Sequence, residues 1–308
     1  MKAITFSDPG GPEVLRLTDV PDPNPGPGQL LVRVRATALN RADLLQRRGH
    51  YPPPPGESDI LGLELAGEIE AVGEGVEGFV PGDRVCALVG GGGYAEKAVV
   101  DHRLAMPIPD GWSFADAAAV PESFLTAHDS LVTLGGLAAG EVVLIHAAGS
   151  GLGTASVQMA RHAGARVLVT AGTADKLDVA CRLGAEVGCN YKERDFADWV
   201  MEITEGRGVD LIQDPVGAAF WERNFRCLRE KGRLVVLGLL GGSKAEVDLG
   251  LLLRKRVAVM GTVLRQRSLD EKAALVRRFQ DLWLPALARG DIRPVIDSVF
   301  SLEQAAEA

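Results

Sequence analysis

Three closely spaced glycines carry the clearest chemical signal in this sequence. The aliphatic run Val142–Ile145 is followed by Gly149, Gly151 and Gly153, and then by apolar residues at helical spacing. A strand that ends in a glycine-rich turn and opens a helix is typical of a dinucleotide phosphate site. The glycines let the backbone approach a pyrophosphate, and the helix N-terminus supplies unpaired N–H groups and a partial positive charge. The turn at residues 149–153 is therefore predicted to bind a nucleotide.

Ser150 and Leu152 complete this turn and are included among its candidate ligands. The Ser150 hydroxyl can donate to the pyrophosphate or lie beneath a nicotinamide. The alternative is that it only caps the turn. Both interpretations stay open at the level of the sequence.

The end of the next predicted strand, residues 166–170, bears on which cofactor binds. Folds that bind NAD usually carry an acid about 20 residues after the glycines, where it holds the ribose 2′-hydroxyl. Here the strand end has no acid, and Gly172 and Lys176 follow it, although Asp175 adjoins the lysine. A small turn and an ammonium accept a 2′-phosphate, which a carboxylate would repel. NADPH is therefore predicted, with a solvated surface lysine as the alternative for Lys176.

Composition argues against several classes of partner. The net charge of −8 and the absence of basic runs argue against nucleic acid and against anionic membrane surfaces. No apolar run is long enough to span a bilayer, and the N-terminus lacks a signal-peptide core. The four cysteines are scattered without C-x-x-C spacing, which favours reduced thiols. We expect a soluble, cytoplasmic protein that acts on a small molecule.

The elements that must position these residues change character along the chain. Residues 1–110 alternate short apolar runs with glycine and proline turns, which indicates a small barrel or sandwich. Helices are then predicted at 113–119, 124–134, 154–163, 174–183, 195–204 and 219–229. Strands are predicted at 142–146, 166–170, 187–190, 209–213 and 233–238. Strict βαβ alternation implies a parallel sheet with helices on both faces.

The last predicted strands are residues 257–263, at the edge of the sheet, and residues 295–300. A helix start follows at Ser301. No closing strand is predicted before Ala308, so a further tail is expected.

Six segments together resemble the medium-chain dehydrogenase/reductase superfamily and its zinc-independent, zeta-crystallin-like quinone oxidoreductase branch, closest to the p53-inducible quinone oxidoreductase-like proteins. They are residues 38–44, 49–56, 61–67, 80–85, 146–153 and 183–185. The resemblance covers essentially the whole length. It implies a β-rich GroES-like domain (residues 1–120 and 266–308) interrupted by a Rossmann domain, a doubly wound α/β sheet (residues 121–265). It also implies NADPH in the cleft between them and a homodimer through the edge strand at residues 257–263.

Departures from the zinc-dependent relatives argue against a metal. The zinc alcohol dehydrogenases of this superfamily have a cysteine where Asn40 stands and a His-Glu pair where Leu63 and Glu64 stand. Asn40 and Leu63 are poor zinc ligands, and the structural-zinc cysteines are missing. We therefore expect no catalytic zinc.

Further cofactor contacts are expected at the carboxyl ends of the later strands, where ligands of such sheets bind. The residues predicted to frame the nicotinamide are Leu237, Gly238, Leu239, Val263 and Arg265. For Arg265 the alternative is that it only closes the domain interface. Tyr191 matches the family's tyrosine beside the adenosine phosphate, with an ordinary strand-end aromatic as the alternative.

Hydride transfer is the chemistry that these residues favour, because no nucleophile–base pair is evident and a nicotinamide carries its own hydride. Hydrogen-bond donors would stabilise the hydroquinone anion formed from a quinone. The family places an active-site tyrosine at Tyr51, and Asn40 and Thr126 are further candidate catalytic residues. The alternative for Tyr51 is loop packing, and the alternative for Asn40 is a strand-end cap.

The predicted function is thus NADPH-dependent reduction of quinones without a metal. The nearest alternative is an enoyl or alkenal reductase, which would use Tyr51 as a proton donor. An NADPH-binding structural or regulatory protein with little turnover, as lens crystallins of this family illustrate, is the alternative from another class.

Overall fold

Thirteen strands form three sheets in the computed structural model, which describes residues 1–308. In chain order the strands are β1 (Lys2–Thr5), β2 (Arg16–Asp19), β3 (Gln29–Thr37), β4 (Glu64–Val72), β5 (Arg84–Leu88), β6 (Lys97–Asp101), β7 (Ala105–Pro107), β8 (Val142–Ile145), β9 (Arg166–Ala171), β10 (Val187–Asn190), β11 (Val209–Asp214), β12 (Leu228–Val236) and β13 (Ala258–Gly261).

Nine α-helices accompany these strands. They are α1 (Arg41–Arg47), α2 (Phe114–Ala118), α3 (Pro121–His128), α4 (Gly151–His162), α5 (Ala174–Arg182), α6 (Phe196–Ile203), α7 (Trp221–Cys227), α8 (Leu249–Lys255) and α9 (Leu269–Arg289). A π-helical segment, Asp129–Leu134, continues α3. No helix has both the length and the apolarity needed to cross a membrane.

The chain divides into two compact units. Unit 1 comprises Met1–Leu125, Leu264–Gly290 and Pro294–Ala308, and unit 2 comprises Thr126–Val263 and Asp291–Arg293.

The predicted Rossmann domain, residues 121–265, extends beyond unit 2 at both ends. At its start, the main-chain N–H of Glu122 donates to the Glu64 carboxyl at 2.8 Å, and at its end the Arg265 guanidinium donates to the carbonyl of Gly90 at 2.6 Å. These hydrogen bonds lie within unit 1, so the residues around each boundary fold with the GroES-like part.

Unit 2 contains the six-stranded parallel sheet, in the order β10-β9-β8-β11-β12-β13. Aliphatic side chains of its central strands are fully buried, among them Leu144, Leu168, Ile212 and Leu234. The strand order reverses direction between β8 and β11, which is the place where ligands bind in such sheets. The predicted doubly wound α/β fold is confirmed.

Unit 1 contains a five-stranded antiparallel sheet, in the order β6-β3-β4-β5-β7, and the small β1-β2 sheet. In β3, Leu30 and Val32 are fully buried while Arg33 and Arg35 are exposed. The two arginines pair with glutamates of the neighbouring strand β4.

The predicted strand at residues 295–300 is wrong. No strand forms there, and no neighbouring strand pairs with these residues, which leaves Val295, Ile296 and Val299 exposed. An alternating pattern describes one face of a strand, but a strand also needs a hydrogen-bonding partner. The helix start at Ser301 is only a short 3-10 turn, Leu302–Gln304.

Candidate functional site

The glycine-rich turn lies between β8 and α4, at the carboxyl end of the parallel sheet. Ser150 is the N-cap of α4, and its Oγ accepts a hydrogen bond from the Gly153 N–H at 3.0 Å. A Cβ on Gly153 would lie 2.5 Å from the Ala147 carbonyl oxygen, so only glycine permits this close packing of helix on strand. Gly149, Ser150 and Gly151 are exposed. The start of α4 therefore offers free N–H groups to an anion.

A buried histidine network supports this turn from behind. His146 Nε2 lies 2.8 Å from Asn224 Oδ1, and Asn224 Nδ2 donates to Asp214 Oδ2 at 2.9 Å. Because Asn224 turns its amide N–H toward the carboxylate, its oxygen must accept, and His146 Nε2 carries the proton. Burial lowers the pKa of His146, so the ring is neutral and Nδ1 accepts from the Thr170 hydroxyl at 2.8 Å. The network joins the ends of β8, β9 and β11 to α7.

Two lysines and a tyrosine lie beside glycines that follow β8 and β9. A Cβ on Gly172 would lie 3.0 Å from Tyr191 Oη and 3.0 Å from Lys192 Cε, and a Cβ on Gly149 would lie 2.7 Å from Lys176 Cγ. Both lysines are exposed, and neither forms an ion pair within the protein. The sequence prediction included Lys176 and Tyr191 but missed Lys192, although a second cation directly after Tyr191 was the available signal.

The remaining predicted residues of unit 2 also lie at the carboxyl edge of the sheet. Leu237, Gly238 and Leu239 follow β12, and the Leu237 N–H donates to the Asp214 carbonyl at 2.9 Å. Val263 follows β13 and is 48% exposed.

Thr126 lies on α3, beside the π-helical segment. Its carbonyl oxygen accepts from Ser130 Oγ at 2.7 Å, and Ser130 Oγ in turn accepts from Gln213 Nε2 at 2.6 Å. Asp129 accepts from the Thr262 hydroxyl at 2.7 Å. These bonds tie the helix that carries Thr126 to the ends of β11 and β13.

A polar cluster in unit 1 surrounds Asn40, the N-cap of α1. The Asn40 main-chain N–H donates to Asp43 Oδ2 at 2.8 Å, and its Nδ2 donates to Glu64 Oε1 at 2.7 Å. Glu64 Oε2 accepts from the Glu122 N–H at 2.8 Å, and the Tyr94 hydroxyl donates to Asp43 Oδ2 at 3.2 Å. Asn40 is thus both a helix cap and a side chain held by a buried carboxyl group.

Burial raises the pKa of all three carboxyl groups in this cluster. The pKa is about 8 for Glu64, about 7 for Glu122 and about 6 for Asp43. For Glu64 the hydrogen bonds from Asn40 and from the Glu122 N–H oppose this rise, while the neighbouring carboxyl groups add to it. At neutral pH the cluster therefore retains protons that exposed carboxylates would have lost.

Tyr51 is half-buried in the loop after α1, and its hydroxyl makes no hydrogen bond within the protein. Burial raises the pKa of Tyr51, Glu122 raises it further, and Arg265 lowers it. Arg265 is itself buried in unit 1, where its guanidinium donates to protein acceptors. Its role as a cofactor ligand remains a prediction.

No group of three or more His, Cys, Asp or Glu side chains is arranged to hold a metal ion. At the positions compared with the zinc enzymes, Asn40 is hydrogen-bonded to Glu64, and Leu63 is a core residue with 2% exposure.

Comparison with known proteins identifies the family. Residues 26–110 match the alcohol dehydrogenase GroES-like domain, and residues 151–281 match the zinc-binding dehydrogenase family. Over its whole length the chain is 36% identical to the quinone oxidoreductase of Pseudomonas aeruginosa, of which it covers 94%.

Solved structures show the same likeness. The Escherichia coli quinone oxidoreductase complexed with NADPH is 31% identical with a TM-score of 0.89, and the match covers 100% of this chain and 94% of that one. The CurK enoyl reductase is 27% identical with a TM-score of 0.88, and the match covers 100% and 94%. The chain belongs to the medium-chain dehydrogenase/reductase superfamily, as predicted. Within it, the full-length relatives place the chain among the quinone oxidoreductases, and it is an enzyme.

The Glu64→Gln variant should change how stability depends on pH. The folded protein keeps a proton on Glu64 up to about pH 8, whereas the unfolded chain loses it near 4.5. The stability that the folded protein gains from protonated Glu64 is complete below pH 4.5 and is lost as the pH rises to about 8. We expect the free energy of unfolding, measured by denaturant titration, to fall less over this window in Glu64→Gln than in the wild type.

Glu68→Gln is the matched control, because Glu68 lies on the same strand but forms an exposed ion pair with Arg35. Its pH dependence should follow the wild type. An unchanged pH dependence in Glu64→Gln would contradict the assignment of a retained proton to this carboxyl group.

Proposed function

We propose that this enzyme reduces quinones with NADPH and without a metal. The observation that carries the proposal is that two exposed lysines without ion pairs flank the glycine positions of this edge: Lys176 lies beside Gly149 of the glycine-rich turn, and Lys192 lies beside Gly172. Such an arrangement suits a diphosphate followed by a 2′-phosphate, and no carboxylate stands at the end of β9 to bind a free ribose hydroxyl. Relatives named quinone oxidoreductases, one of them solved with NADPH, support the same assignment.

Residues of unit 2 would hold the cofactor. The N-terminus of α4 would bind the pyrophosphate, the two lysines and Tyr191 would bind the 2′-phosphate, and residues 237–239 with Val263 would border the nicotinamide. When bound, NADPH supplies the hydride. Asn40 and Leu63 stand where the zinc enzymes have ligands, which supports a reaction independent of zinc.

Residues of unit 1 would protonate the reduced substrate and stabilise its negative charge. The unbonded Tyr51 hydroxyl can donate a proton to the oxygen anion of the reduced substrate. The Asn40 side chain, whose Nδ2 donates to Glu64, has a second Nδ2–H that can donate a hydrogen bond to this anion, and Thr126, in unit 2, is a further candidate catalytic residue. All four cysteines are free thiols, which supports a reducing, cytoplasmic location.

Reduction of an activated C=C bond is the second candidate. The likeness to the CurK enoyl reductase favours it, and Tyr51 would then protonate a carbanion. NADPH oxidation measured side by side with quinones, enones and enoyl thioesters distinguishes the two. Faster turnover of enoyl thioesters than of quinones would select the second candidate, and tight NADPH binding without turnover of any acceptor would indicate a binding protein.

Replacing either lysine should weaken the use of NADPH selectively. We expect Lys176→Ala and Lys192→Ala each to raise the KM for NADPH by about tenfold, because each removes a charge-assisted hydrogen bond to the 2′-phosphate. The KM for NADH should be nearly unchanged. Arg182→Ala, an exposed cation on the same helix as Lys176, is the control and should alter neither value. An equal increase in the KM for NADPH and for NADH would contradict a 2′-phosphate site.

Removing the Tyr51 hydroxyl should slow the chemical step. We expect Tyr51→Phe to lower kcat by about a hundredfold, the usual scale of a lost proton donor, while the Kd for NADPH, from fluorescence titration, stays constant. Steady-state rates with a quinone measure the effect. A variant as active as the wild type would remove Tyr51 from the site.

We also propose that two copies associate through β13. This strand is the last of the six-stranded sheet and pairs only with β12, so its outer edge is unpaired. Val259 on this strand is 39% exposed, and Leu249 and Leu253 on α8 are 66% and 72% exposed. An exposed edge beside apolar side chains favours pairing with a second chain.

A charge on this edge should separate the copies. We expect the wild type to be a dimer by light scattering and Val259→Lys to be a monomer at the same concentration, because the lysine must be desolvated on pairing. Val299→Lys alters a valine of unit 1 that is even more exposed, at 74%, and should remain dimeric. A monomeric wild type at micromolar concentration would contradict this interface.

A further inference from the structure

Arg265 connects three separate segments of unit 1. It is only 6% exposed, and its Nε and Nη2 both donate to the Gly90 carbonyl, at 2.9 and 2.6 Å. Nη2 also donates to Gln46 Oε1 at 2.7 Å, and Nη1 donates to the Tyr51 carbonyl at 3.2 Å. The planar fork of the guanidinium is what allows it to serve all three acceptors at once.

None of these acceptors carries a charge. No carboxylate oxygen lies within 4.0 Å of the guanidinium; Asp43, Glu57 and Glu122 act on it only from farther away, and the Lys272 ammonium, which lines the same small cavity, adds a second positive charge. A buried cation without an ion pair costs free energy. The buried guanidinium nevertheless creates a fixed positive electrostatic potential around Arg265.

That potential lies beside Tyr51. The guanidinium carbon is 5.2 Å from the centroid of the Tyr51 ring, within the range of a cation–π contact. The same guanidinium holds the Tyr51 main chain, so both the backbone and the ring of this residue are fixed by one side chain. The charged groups that act on the Tyr51 phenol are Glu122 and Arg265, with opposite signs.

We propose that Arg265 is a positioning residue that holds Tyr51 and stabilises the phenolate left when Tyr51 gives up its proton, and that it does not bind the cofactor. The inference rests on the proposed role of Tyr51. In the step concerned, the Tyr51 O–H bond breaks, the proton joins the oxygen anion of the reduced quinone, and the electron pair remains on the phenol oxygen. Water then returns a proton to the phenolate.

A direct titration of the Tyr51 phenol tests this without requiring turnover. Replacing Tyr51 by 3,5-difluorotyrosine brings its ionisation near neutrality, where fluorine NMR follows it. We expect Arg265→Gln to raise this pKa by about one unit, a tenfold change in the ionisation constant, and Arg265→Lys, which keeps the charge without the fork, to raise it less.

Arg47→Gln is the matched control. Arg47 is also 6% exposed and also donates to a main-chain carbonyl, that of Gly10, so it reports the general effect of losing a buried arginine. We expect the phenol of this variant to titrate as in the wild type. An Arg265→Gln titration that coincides with that of Arg47→Gln would overturn the proposal.

Kinetics then separate positioning from cofactor binding. With native Tyr51, Arg265→Gln should lower kcat with a quinone by about tenfold, matching the shift in ionisation, and leave the Kd for NADPH within twofold. A tenfold weaker Kd with an unchanged phenol titration would instead make Arg265 a cofactor ligand. If Arg265→Gln fails to fold, Arg265→Lys decides the same question. A wild type that turns over no quinone would sink the proposed function, whereas the phenol titration would still report on Arg265.

Discussion

The close approach of α4 to the end of β8 is the constraint on which the rest of unit 2 depends. Gly153 lies so near the Ala147 carbonyl that a single added carbon would collide with it. This contact aims the first N–H groups of α4 outward, past the edge of the sheet. The neutral His146 and its partners Asn224 and Asp214 keep the strand ends in register behind the turn. The backbone N–H groups of the proposed anion site are therefore held in place by the packing of the protein itself.

Unit 1 differs from unit 2 in that it buries ionisable side chains near its candidate residues. Glu64 and Arg265 are both nearly inaccessible to water, yet they are not paired with each other. Each is instead satisfied by amides and carbonyls of neighbouring segments, and each contacts a candidate residue of the site: Glu64 holds Asn40, and Arg265 holds Tyr51. Buried groups with few counter-charges keep their neighbours in one geometry at some cost to stability.

Local patterns in the sequence were enough for the sheet of unit 2 and for the turn at residues 149–153 between a strand and a helix, because each depends on spacing along a short stretch. They failed where the local structure or a contact depends on residues that are distant in the sequence. Residues 295–300 alternate like a strand but have no strand to pair with. Lys192 lies near Gly172 only because β9 and β10 are side by side, and Arg265 reaches Tyr51 across more than two hundred residues of chain. Neither contact is visible as periodicity.

The π-helical segment Asp129–Leu134 has a consequence for how this chain tolerates length changes. Its wide turn is closed by hydrogen bonds such as that from the Gly135 N–H to the Ser130 carbonyl, five residues back. Deleting one residue there would restore ordinary α-helical winding and rotate the residues of α3 that precede the segment by about 100° about the helix axis. Thr126 would then swing away from the strand ends while the helix itself survived. In this segment, the loss of one residue would change the direction of a side chain but not the fold.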